Sequence, residues 1–187
     1  MRSIKLISVA AFIFSLVSMA AEARGGSSGG DEWVFNPAFM YLYSNTTDGG
    51  STSTTSRVLA DISLGYKFSS PIYLGGLYSY DSTSTTSSSS TTTDTFGSYG
   101  PSLGLLTDNV YLIFTYFVAS TETTSNHSYS SGSGFQVVLG YKFDMGSSWG
   151  LGPQVNYRSL AYTKDGNSTV DHHYTTLLPY VSLWFTF

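Results

Sequence analysis

The end of the chain, Leu177 to Phe187, alternates in hydrophobicity over its whole length. One parity is apolar and consists of Leu177, Pro179, Val181, Leu183, Phe185 and Phe187. The other parity mixes polar and apolar side chains, namely Thr176, Leu178, Tyr180, Ser182, Trp184 and Thr186. Because successive side chains of a strand point to opposite faces, this segment predicts a strand with one continuous apolar face. Strands of about ten residues with such a face, and with aromatic residues at the boundary, suit a closed barrel in a bilayer.

The start of the chain has the three parts of an export signal. Arg2 and Lys5 supply positive charge, residues 6–17 form an apolar core, and Ala21-Glu22-Ala23 is a small-x-small cleavage site. We expect cleavage after Ala23, with cleavage after Ala20 as the alternative. The apolar core is too short to span a bilayer as a stable helix. The sequence therefore predicts a signal peptide over 1–23 and an exported mature chain.

Charge and cysteine content narrow the class of protein. After cleavage the chain keeps six of the 8 Lys and Arg residues and eleven of the 12 Asp and Glu residues, a net charge of about −5. Because this weak acidity comes without a basic run, nucleic acid is not an expected partner. Cysteine is absent, so an exported fold of this sequence depends on backbone pairing and burial without disulfides.

Short alternating runs separated by Ser, Thr, Gly and Asp predict eight strands. They lie at 36–45, 56–68, 71–80, 95–106, 109–120, 133–144, 148–162 and 173–187. The connections alternate in kind: 46–55, 81–94, 121–132 and 163–172 are long and polar, whereas 69–70, 107–108 and 145–147 are tight turns. In an antiparallel sheet this puts every long loop at one end, which is typical of outer-membrane barrels.

A helix over 103–119 is the main competing interpretation, since this stretch is largely apolar. Turn-forming residues at 107–109 interrupt it, and the following run is dominated by β-branched and aromatic side chains. Two strands are therefore favoured, and a membrane chain without long helices can span only as a closed barrel.

Alternation assigns the faces of three strands. The outward positions begin at Val58, Phe135 and Trp149 and continue at every second residue, which leaves the charged residues of these strands facing inward. The faces of the first, third and fifth strands stay open, because both of their parities are apolar. Inside a barrel of eight strands, side chains are expected to fill the lumen.

The inward polar residues predict a polar network in the lumen. Its members are Asp61, Lys67, Gln136, Lys142, Gln154, Asn156, Arg158 and Tyr180. Because an unpaired buried charge is costly, we expect Arg158 to pair with Asp61 or to bond Tyr180 and the amides. The main interpretation is structural, and a narrow solute channel is the alternative.

Two short segments carry groups that a catalytic site uses. His127-Ser128 and Asp171-His172-His173 contain a base, a carboxylate and a hydroxyl, as a lipid-acylating or deacylating barrel enzyme needs. Ser and Thr saturate these loops, however, and adjacent histidines on a strand point to opposite faces. The sequence therefore predicts no catalytic residues, no cofactor and no metal site, because the spacing suits no common metal motif.

Two polar stretches, 51–56 and 82–93, are nearly pure Ser and Thr. Their composition predicts solvated, mobile loops, and an adhesive epitope is the alternative interpretation.

Together, the signal, the eight strands, the alternation of loops and turns, and the terminal Phe187 resemble the small outer-membrane β-barrel proteins of Gram-negative bacteria, the OmpX-like and opacity-type class. The resemblance covers the mature chain. It implies an eight-stranded antiparallel up-and-down transmembrane β-barrel over 36–187, after a short periplasmic segment over 24–35. It also implies that Val181, Leu183, Phe185 and Phe187 form the signal read by the barrel-assembly machinery.

The function that follows is a non-enzymatic structural or surface-interaction protein of the outer membrane. Its expected partners are outer-membrane lipid and lipopolysaccharide, the assembly machinery and an extracellular partner of the loops. A lipid A-modifying enzyme and a periplasmic lipocalin-like binder are the other hypotheses. The latter requires an apolar cavity and a polar exterior, the inverse of the assigned faces.

Overall fold

A computed structural model describes residues 31–48, 51–69, 71–87 and 90–187. The described residues form nine strands in one antiparallel sheet. The strands are β1 (Glu32–Asp48), β2 (Ser51–Lys67), β3 (Ile72–Thr86), β4 (Thr91–Leu106), β5 (Val110–Thr123), β6 (Ser128–Tyr141), β7 (Phe143–Asp144), β8 (Trp149–Asp165) and β9 (Ser168–Thr186). The predicted signal peptide lies outside the described residues.

The sheet closes into a ring. Each strand from β1 to β5 pairs with the strand that follows it, β6 pairs with β8, β8 pairs with β9, and β9 pairs with β1. Eight strands were predicted, and the structure has nine because Lys142 leaves the ladder between Tyr141 and Phe143. The Lys142 amide donates to the Asn109 carbonyl at 2.6 Å, and the two residues of β7 then resume pairing with β8.

The ring has two unlike ends. At the hairpin end, β1 meets β2, β3 meets β4, β5 meets β6 and β8 meets β9. At the turn end lie both Glu32 and Phe187 and the short connections after Lys67, Leu106 and Asp144. These two names are used below.

The predicted long loops are wrong in length, because paired strand replaces most of them. β1 and β2 stay in register up to Asp48 and Ser51, and β3 and β4 up to Thr86 and Thr91. Threonine is β-branched and favours strands, and facing hydroxyls bond across the hairpins. The hydroxyls of Ser84 and Thr93, for example, lie 2.8 Å apart.

One further sequence prediction changes at an element boundary, and another is confirmed. The segment 24–35 was expected to precede the first strand, yet β1 begins at Glu32 because Trp33 and Phe187 exchange backbone hydrogen bonds of 2.9 and 3.1 Å. The stretch 103–119 divides into the end of β4 and most of β5, as two strands rather than one helix. No helix in the described part of the chain is long and apolar enough to cross a membrane.

The outward face of the ring carries an apolar band. Its middle exposes aliphatic and phenylalanine side chains, among them Phe39, Leu64, Leu74, Leu103, Leu112, Phe114, Leu139, Val155 and Val181. Aromatic residues mark its border at the hairpin end, namely Tyr41, Tyr43, Tyr78, Tyr99, Tyr116 and Tyr157. A second set marks the border at the turn end, namely Trp33, Phe68, Tyr141, Phe143, Trp149 and Phe187. The band therefore runs around the ring between two aromatic borders.

The join between β1 and β9 is the shortest of the long ladders. Its register runs from Val34 and Thr186 to Phe39 and Val181, and the described parts of the two strands pair no further. Alternation from the Trp33–Phe187 pair places Pro37 opposite Leu183 and Tyr41 opposite Pro179. Because proline has no N–H, both prolines remove a donor from this join.

The side chain of Asn36 replaces the hydrogen-bond donor that Pro37 lacks. Its Nδ2 donates to the Leu183 carbonyl at 2.8 Å, where Pro37 cannot donate. Among the described hydrogen bonds, no side chain replaces the donor that is missing at Pro179, and the ladder stops there. The join is thus bonded at the turn end and open at the hairpin end.

Candidate functional site

An ion pair between Asp61 of β2 and Arg158 of β8 lies at the centre of the ring. Arg158 Nη2 is 3.2 Å from Asp61 Oδ1, and the two side chains are only 2% and 4% exposed. The Arg158 Nε donates to Gln136 Oε1 at 2.8 Å. Arg158 Nη2 also donates to the Ser79 hydroxyl and, at 3.4 Å, to the Tyr180 hydroxyl. The guanidinium therefore has partners on four strands besides its own.

The Asp61 carboxylate accepts from three further groups. The Ser79 hydroxyl donates to Oδ1 at 2.5 Å, while the amides of Gln136 and Asn156 donate to Oδ2 at 2.8 and 2.6 Å. Charge-assisted hydrogen bonds of this kind are stronger than neutral ones. Since every carboxylate oxygen has two donors, the charge is fully compensated inside the ring.

The network continues toward the turn end. Gln154 Nε2 donates to Asn156 Oδ1 at 2.9 Å, and the Tyr111 hydroxyl donates to Gln154 Oε1 at 3.0 Å. The Tyr111 hydroxyl also lies 2.8 Å from the Ser182 hydroxyl. Six of the eight predicted lumenal residues thus lie together, namely Asp61, Gln136, Gln154, Asn156, Arg158 and Tyr180.

The other two predicted members, Lys67 and Lys142, lie outside this network. Both are at the rim of the turn end, where Lys67 is 3.1 Å from Glu32 and Lys142 is 2.8 Å from Asp144. They line a cavity of about 350 Å³ that opens at the rim. Both lysines sit at the ends of their strands, where a long side chain can reach water, so neither charge needs a buried partner.

Side chains fill the ring above and below the polar network. Apolar clusters form at three levels: Val34, Tyr73, Leu106, Tyr111, Ile113, Val138 and Trp184 near the turn end; Ala38, Leu59, Leu178 and Tyr180 in the middle; and Leu77, Phe117, Leu160 and Tyr162 near the hairpin end. A cavity beside Asp61 and Gln136 has a volume of only about 10 Å³. Since a single water needs about 10 to 15 Å³, this cavity is no path for a solute.

A second ion pair lies nearer the hairpin end. Arg57 Nη2 and Asp81 Oδ2 are 2.5 Å apart, and the Tyr174 hydroxyl bonds both partners at 2.7 and 3.2 Å. Sequence reasoning missed this cluster because Asp81 was assigned to a loop, although continuing the inward parity of Asp61 reaches Arg57.

The histidines lie at the hairpin end, and each bonds a carboxylate. His127 Nδ1 is 2.5 Å from Asp165 Oδ2, His172 Nε2 is 3.0 Å from Glu122 Oε2, and His173 Nε2 is 2.9 Å from Asp171 Oδ1. Burial raises the pKa of Glu122, and the hydrogen bond with His172 opposes that rise. His172 faces inward and His173 outward, so the Asp171-His172-His173 segment does not gather into one site.

The rings at this end stack on one another. The centroids of His127 and Tyr129 are 5.5 Å apart, and those of Tyr129 and His172 are 4.2 Å apart, with nearly parallel planes. The stack joins β6 to β9 across the mouth of the ring. Within the described ranges, no group of three or more His, Asp or Glu side chains is placed to hold a metal ion.

Acid is expected to break the link between His127 and Asp165. The hydrogen bonds from His127 and from the Ser128 amide, the latter 3.1 Å long, lower the pKa of Asp165 below 3.8. A lowered carboxyl pKa stabilises the folded link at higher pH, and this contribution is lost as the pH falls through the lowered pKa. The Ser128 amide signal in NMR spectra should therefore titrate with a midpoint below 3.8.

The variant Asp165→Asn provides the control, because its side chain does not ionise and the titration of the Ser128 amide should disappear. A midpoint at or above the ordinary carboxyl value in the unchanged protein would contradict the assignment.

Of the four residues of the predicted assembly signal, Val181, Leu183 and Phe185 lie on the outward face of β9, and Phe187 directly follows the strand. Val181 and Phe185 pair with Phe39 and Phe35 of β1, and the rings of Phe35 and Phe185 stack with centroids 6.1 Å apart. The Leu183 carbonyl accepts a hydrogen bond from the side-chain amide of Asn36, and Phe187 ends the ladder at the turn end. These residues therefore form one side of the join.

Comparison with solved structures gives several likenesses, of which two are described. One solved structure, the outer membrane protein AlkL in DMPC lipid bilayers by solid-state NMR, has a TM-score of 0.49 at 16% identity, over 88% of this chain and 94% of that chain. Another, the translocator domain of the autotransporter NalP from Neisseria meningitidis, has a TM-score of 0.28 at 12% identity, over 98% of each chain. No family model and no curated protein sequence matches the chain.

Proposed function

We propose that the chain is an outer-membrane β-barrel that serves as a structural or surface-interaction protein. The observation that carries the proposal is the apolar outward band with aromatic residues at both borders. In a bilayer, backbone polar groups need internal partners, and a sheet closed on itself provides them. Aromatic side chains favour the two membrane interfaces, which matches the two borders.

The turn end would face the periplasm and the hairpin end the outside. In such barrels the short connections usually lie at the periplasmic side and the long hairpins outside, and here the short connections lie at the turn end with Glu32 and Phe187. Phe187 would then lie at the periplasmic rim, within reach of the barrel-assembly machinery. Lipid and lipopolysaccharide would surround the apolar band.

Membrane fractionation tests the location. The protein should stay with the outer-membrane fraction after carbonate or urea washing and should leave it only with detergent. A folded barrel should also migrate differently in gels before and after heating. Release by urea without detergent would overturn the proposal.

The filled interior supports a barrel that does not conduct. The Asp61–Arg158 network spans the ring, and apolar clusters lie on both sides of it. The purified protein in planar bilayers should therefore add no steps of conductance above the bare membrane. Regular single-channel steps would instead favour the narrow solute channel.

The hairpins supply the proposed surface role. Ser and Thr dominate the ends of β1 to β4, which project past the aromatic border as paired strands. They form a polar surface that a host, a phage or a neighbouring cell can touch. Cells whose β3–β4 hairpin is shortened beyond Ser82 and Thr95 should lose binding to such a partner, whereas unchanged binding to every candidate would exclude adhesion by this hairpin.

The proposed role is non-enzymatic. In the structure the histidine rings bond carboxylates, in three separate pairs. The lipid A profile of cells with and without the protein should therefore be the same. A change in the number of acyl chains would overturn this part of the proposal.

A further inference from the structure

Beyond the aromatic border, the outward face of β1 to β4 carries an aligned set of small polar side chains. The register places Asn45, Thr54, Thr86 and Thr91 in one row, and Tyr43, Ser56, Ser84 and Thr93 in the next. The name hydroxyl face is used below for Asn45, Thr54, Ser56, Ser84, Thr86, Thr91 and Thr93. Alternation from the outward Val58 puts all seven on the outer side of the sheet.

The hydroxyl face is ordered by its own hydrogen bonds. The Thr54 hydroxyl donates to Asn45 Oδ1 at 2.8 Å, and the hydroxyls of Thr86 and Thr91 are 3.1 Å apart. Neighbouring strands lie about 4.8 Å apart, so the groups form a regular array. Each hydroxyl has one donor and two acceptor sites, so an array of pairs keeps hydrogen-bonding capacity for a ligand.

This surface is neutral. Among the side chains that the structure describes at the same four strand ends, the charged ones are Arg57, Asp81 and Asp94, which share the parity of Leu59 and Asp61 and face into the ring. Arg57 and Asp81 moreover neutralise each other. A phosphate or another ion therefore finds no counter-charge on the hydroxyl face, whereas an uncharged polar ligand meets no desolvated charge.

Two exposed tyrosines border the hydroxyl face. Tyr43 ends one of its rows, and Tyr41 ends the row below, next to Val58. Their side chains are 60% and 61% exposed. A tyrosine ring offers an apolar face together with a polar hydroxyl, which suits a ligand that has both C–H and O–H groups.

We propose that the hydroxyl face binds the neutral sugars of the lipopolysaccharide core in the same membrane. This inference rests on the proposed function, since it needs the barrel in an outer membrane. The hydroxyl face is a side wall, adjacent to the apolar band and parallel to it, and its neighbours in the plane of the membrane are the saccharides of surrounding lipids. Sugar hydroxyls donate and accept as serine and threonine hydroxyls do, and they carry no charge.

The thermal midpoint of unfolding in three kinds of vesicle tests the inference. The vesicles contain phosphatidylcholine alone, phosphatidylcholine with lipid A, or phosphatidylcholine with lipopolysaccharide that has a complete core but no O chain. The complete core should raise the midpoint by about 5 °C over lipid A, because a few additional net hydrogen bonds produce a shift of that size in a chain of this length. An equal midpoint with lipid A and with the complete core would overturn the inference.

Two triple variants separate the hydroxyl face from the opposite side of the same rows. The first, Thr54→Val with Thr86→Val and Thr91→Val, removes hydroxyls of the hydroxyl face. The second, Thr55→Val with Thr85→Val and Thr92→Val, removes hydroxyls one residue away that point inward. Valine keeps the shape and favours strands, so both variants fold. Only the first variant should lose the rise in thermal midpoint that the complete core produces. Equal losses in both variants would overturn the inference.

Two further outcomes distinguish a membrane-anchored sugar from a free one, and a failure of this inference from a failure of the proposed function. Free core oligosaccharide, added to phosphatidylcholine vesicles in the same amount as the lipid-bound core, should shift the thermal midpoint little. A shift as large as that from the lipid-bound core would show that the sugar need not be anchored in the membrane. A chain that folds in all three vesicles with one midpoint overturns the inference alone. A chain that enters none of them overturns the proposed function and this inference together.

Discussion

Replacing Asp61 with alanine is expected to lower the free energy of unfolding by about 3 to 5 kcal/mol, the usual cost of removing one partner of a buried ion pair. The variant leaves the Arg158 guanidinium inside the ring without its carboxylate. It also leaves the amides of Gln136 and Asn156 without the acceptor that each now bonds. Urea unfolding in lipid vesicles, followed by tryptophan fluorescence and by migration in gels, measures the loss.

Asp144→Ala is the matched control. Asp144 also pairs with a cation, Lys142, but its side chain is 54% exposed at the rim of the turn end. Exposed ion pairs contribute little, so this variant should lose less than about 1 kcal/mol. If Asp61→Ala costs no more than Asp144→Ala, the central network does not stabilise the fold.

A double variant separates the charge from the packing. Asp61→Ala together with Arg158→Met removes both charges and fills part of the volume with an apolar chain. Replacing a whole buried pair with apolar residues is often close to neutral, so the double variant should recover stability relative to Asp61→Ala. A loss equal to the sum of both single losses would indicate that the two residues do not interact.

Gly152→Ala is the second large effect, with an expected loss of about 3 kcal/mol or more. Gly152 lies on β8, facing inward, where the ladder to β6 is interrupted opposite Lys142. A Cβ at this position would overlap the carbonyl oxygen of Tyr141 and would lie 3.2 Å from the Cα of Lys142. Because the obstructing atoms are backbone, no side-chain rotation relieves the overlap.

Gly76→Ala is the control for this prediction. Gly76 lies on β3, and a Cβ there would meet only the Gly100 carbonyl oxygen at 3.7 Å, an ordinary contact. The fraction of folded protein after dilution from urea into vesicles, read from migration in gels, should fall for Gly152→Ala and stay unchanged for Gly76→Ala. Equal yields for the two variants would contradict the close approach of β8 to β6.

The sequence predicts the inward residues well wherever one parity of a strand is polar. Asp61, Gln154, Asn156 and Arg158 alternate with apolar neighbours, and the structure puts all four in one network. The rim position of Lys67 and Lys142 is not visible in the alternation, because parity gives the face of a strand but not the depth at which a side chain ends. Depth depends on the stagger of the strands, which only the register provides.

The serine- and threonine-rich stretches show the limit of composition. In isolation they lack apolar residues and predict loops, yet residues such as Thr54 and Thr86 pair across strands. The preceding parts of the same strands have already fixed the register, so extending the ladder orders few further groups and adds hydrogen bonds between the strands. This gain depends on the neighbouring strand, which a single stretch of sequence does not contain.

Because the join of β1 and β9 is bonded at only one end, the ring is expected to open from the other end. Under heat, denaturant or mechanical tension, the sheet opens first where the fewest hydrogen bonds must break. That site is next to Pro179, where the ladder between β1 and β9 already stops. The ring would therefore open from the hairpin end toward the turn end, and the backbone hydrogen bonds between Trp33 and Phe187 would break last. A partly opened molecule would keep Trp33 and Phe187 paired at the turn end, so β1 and β9 could pair again without a search for the partner strand.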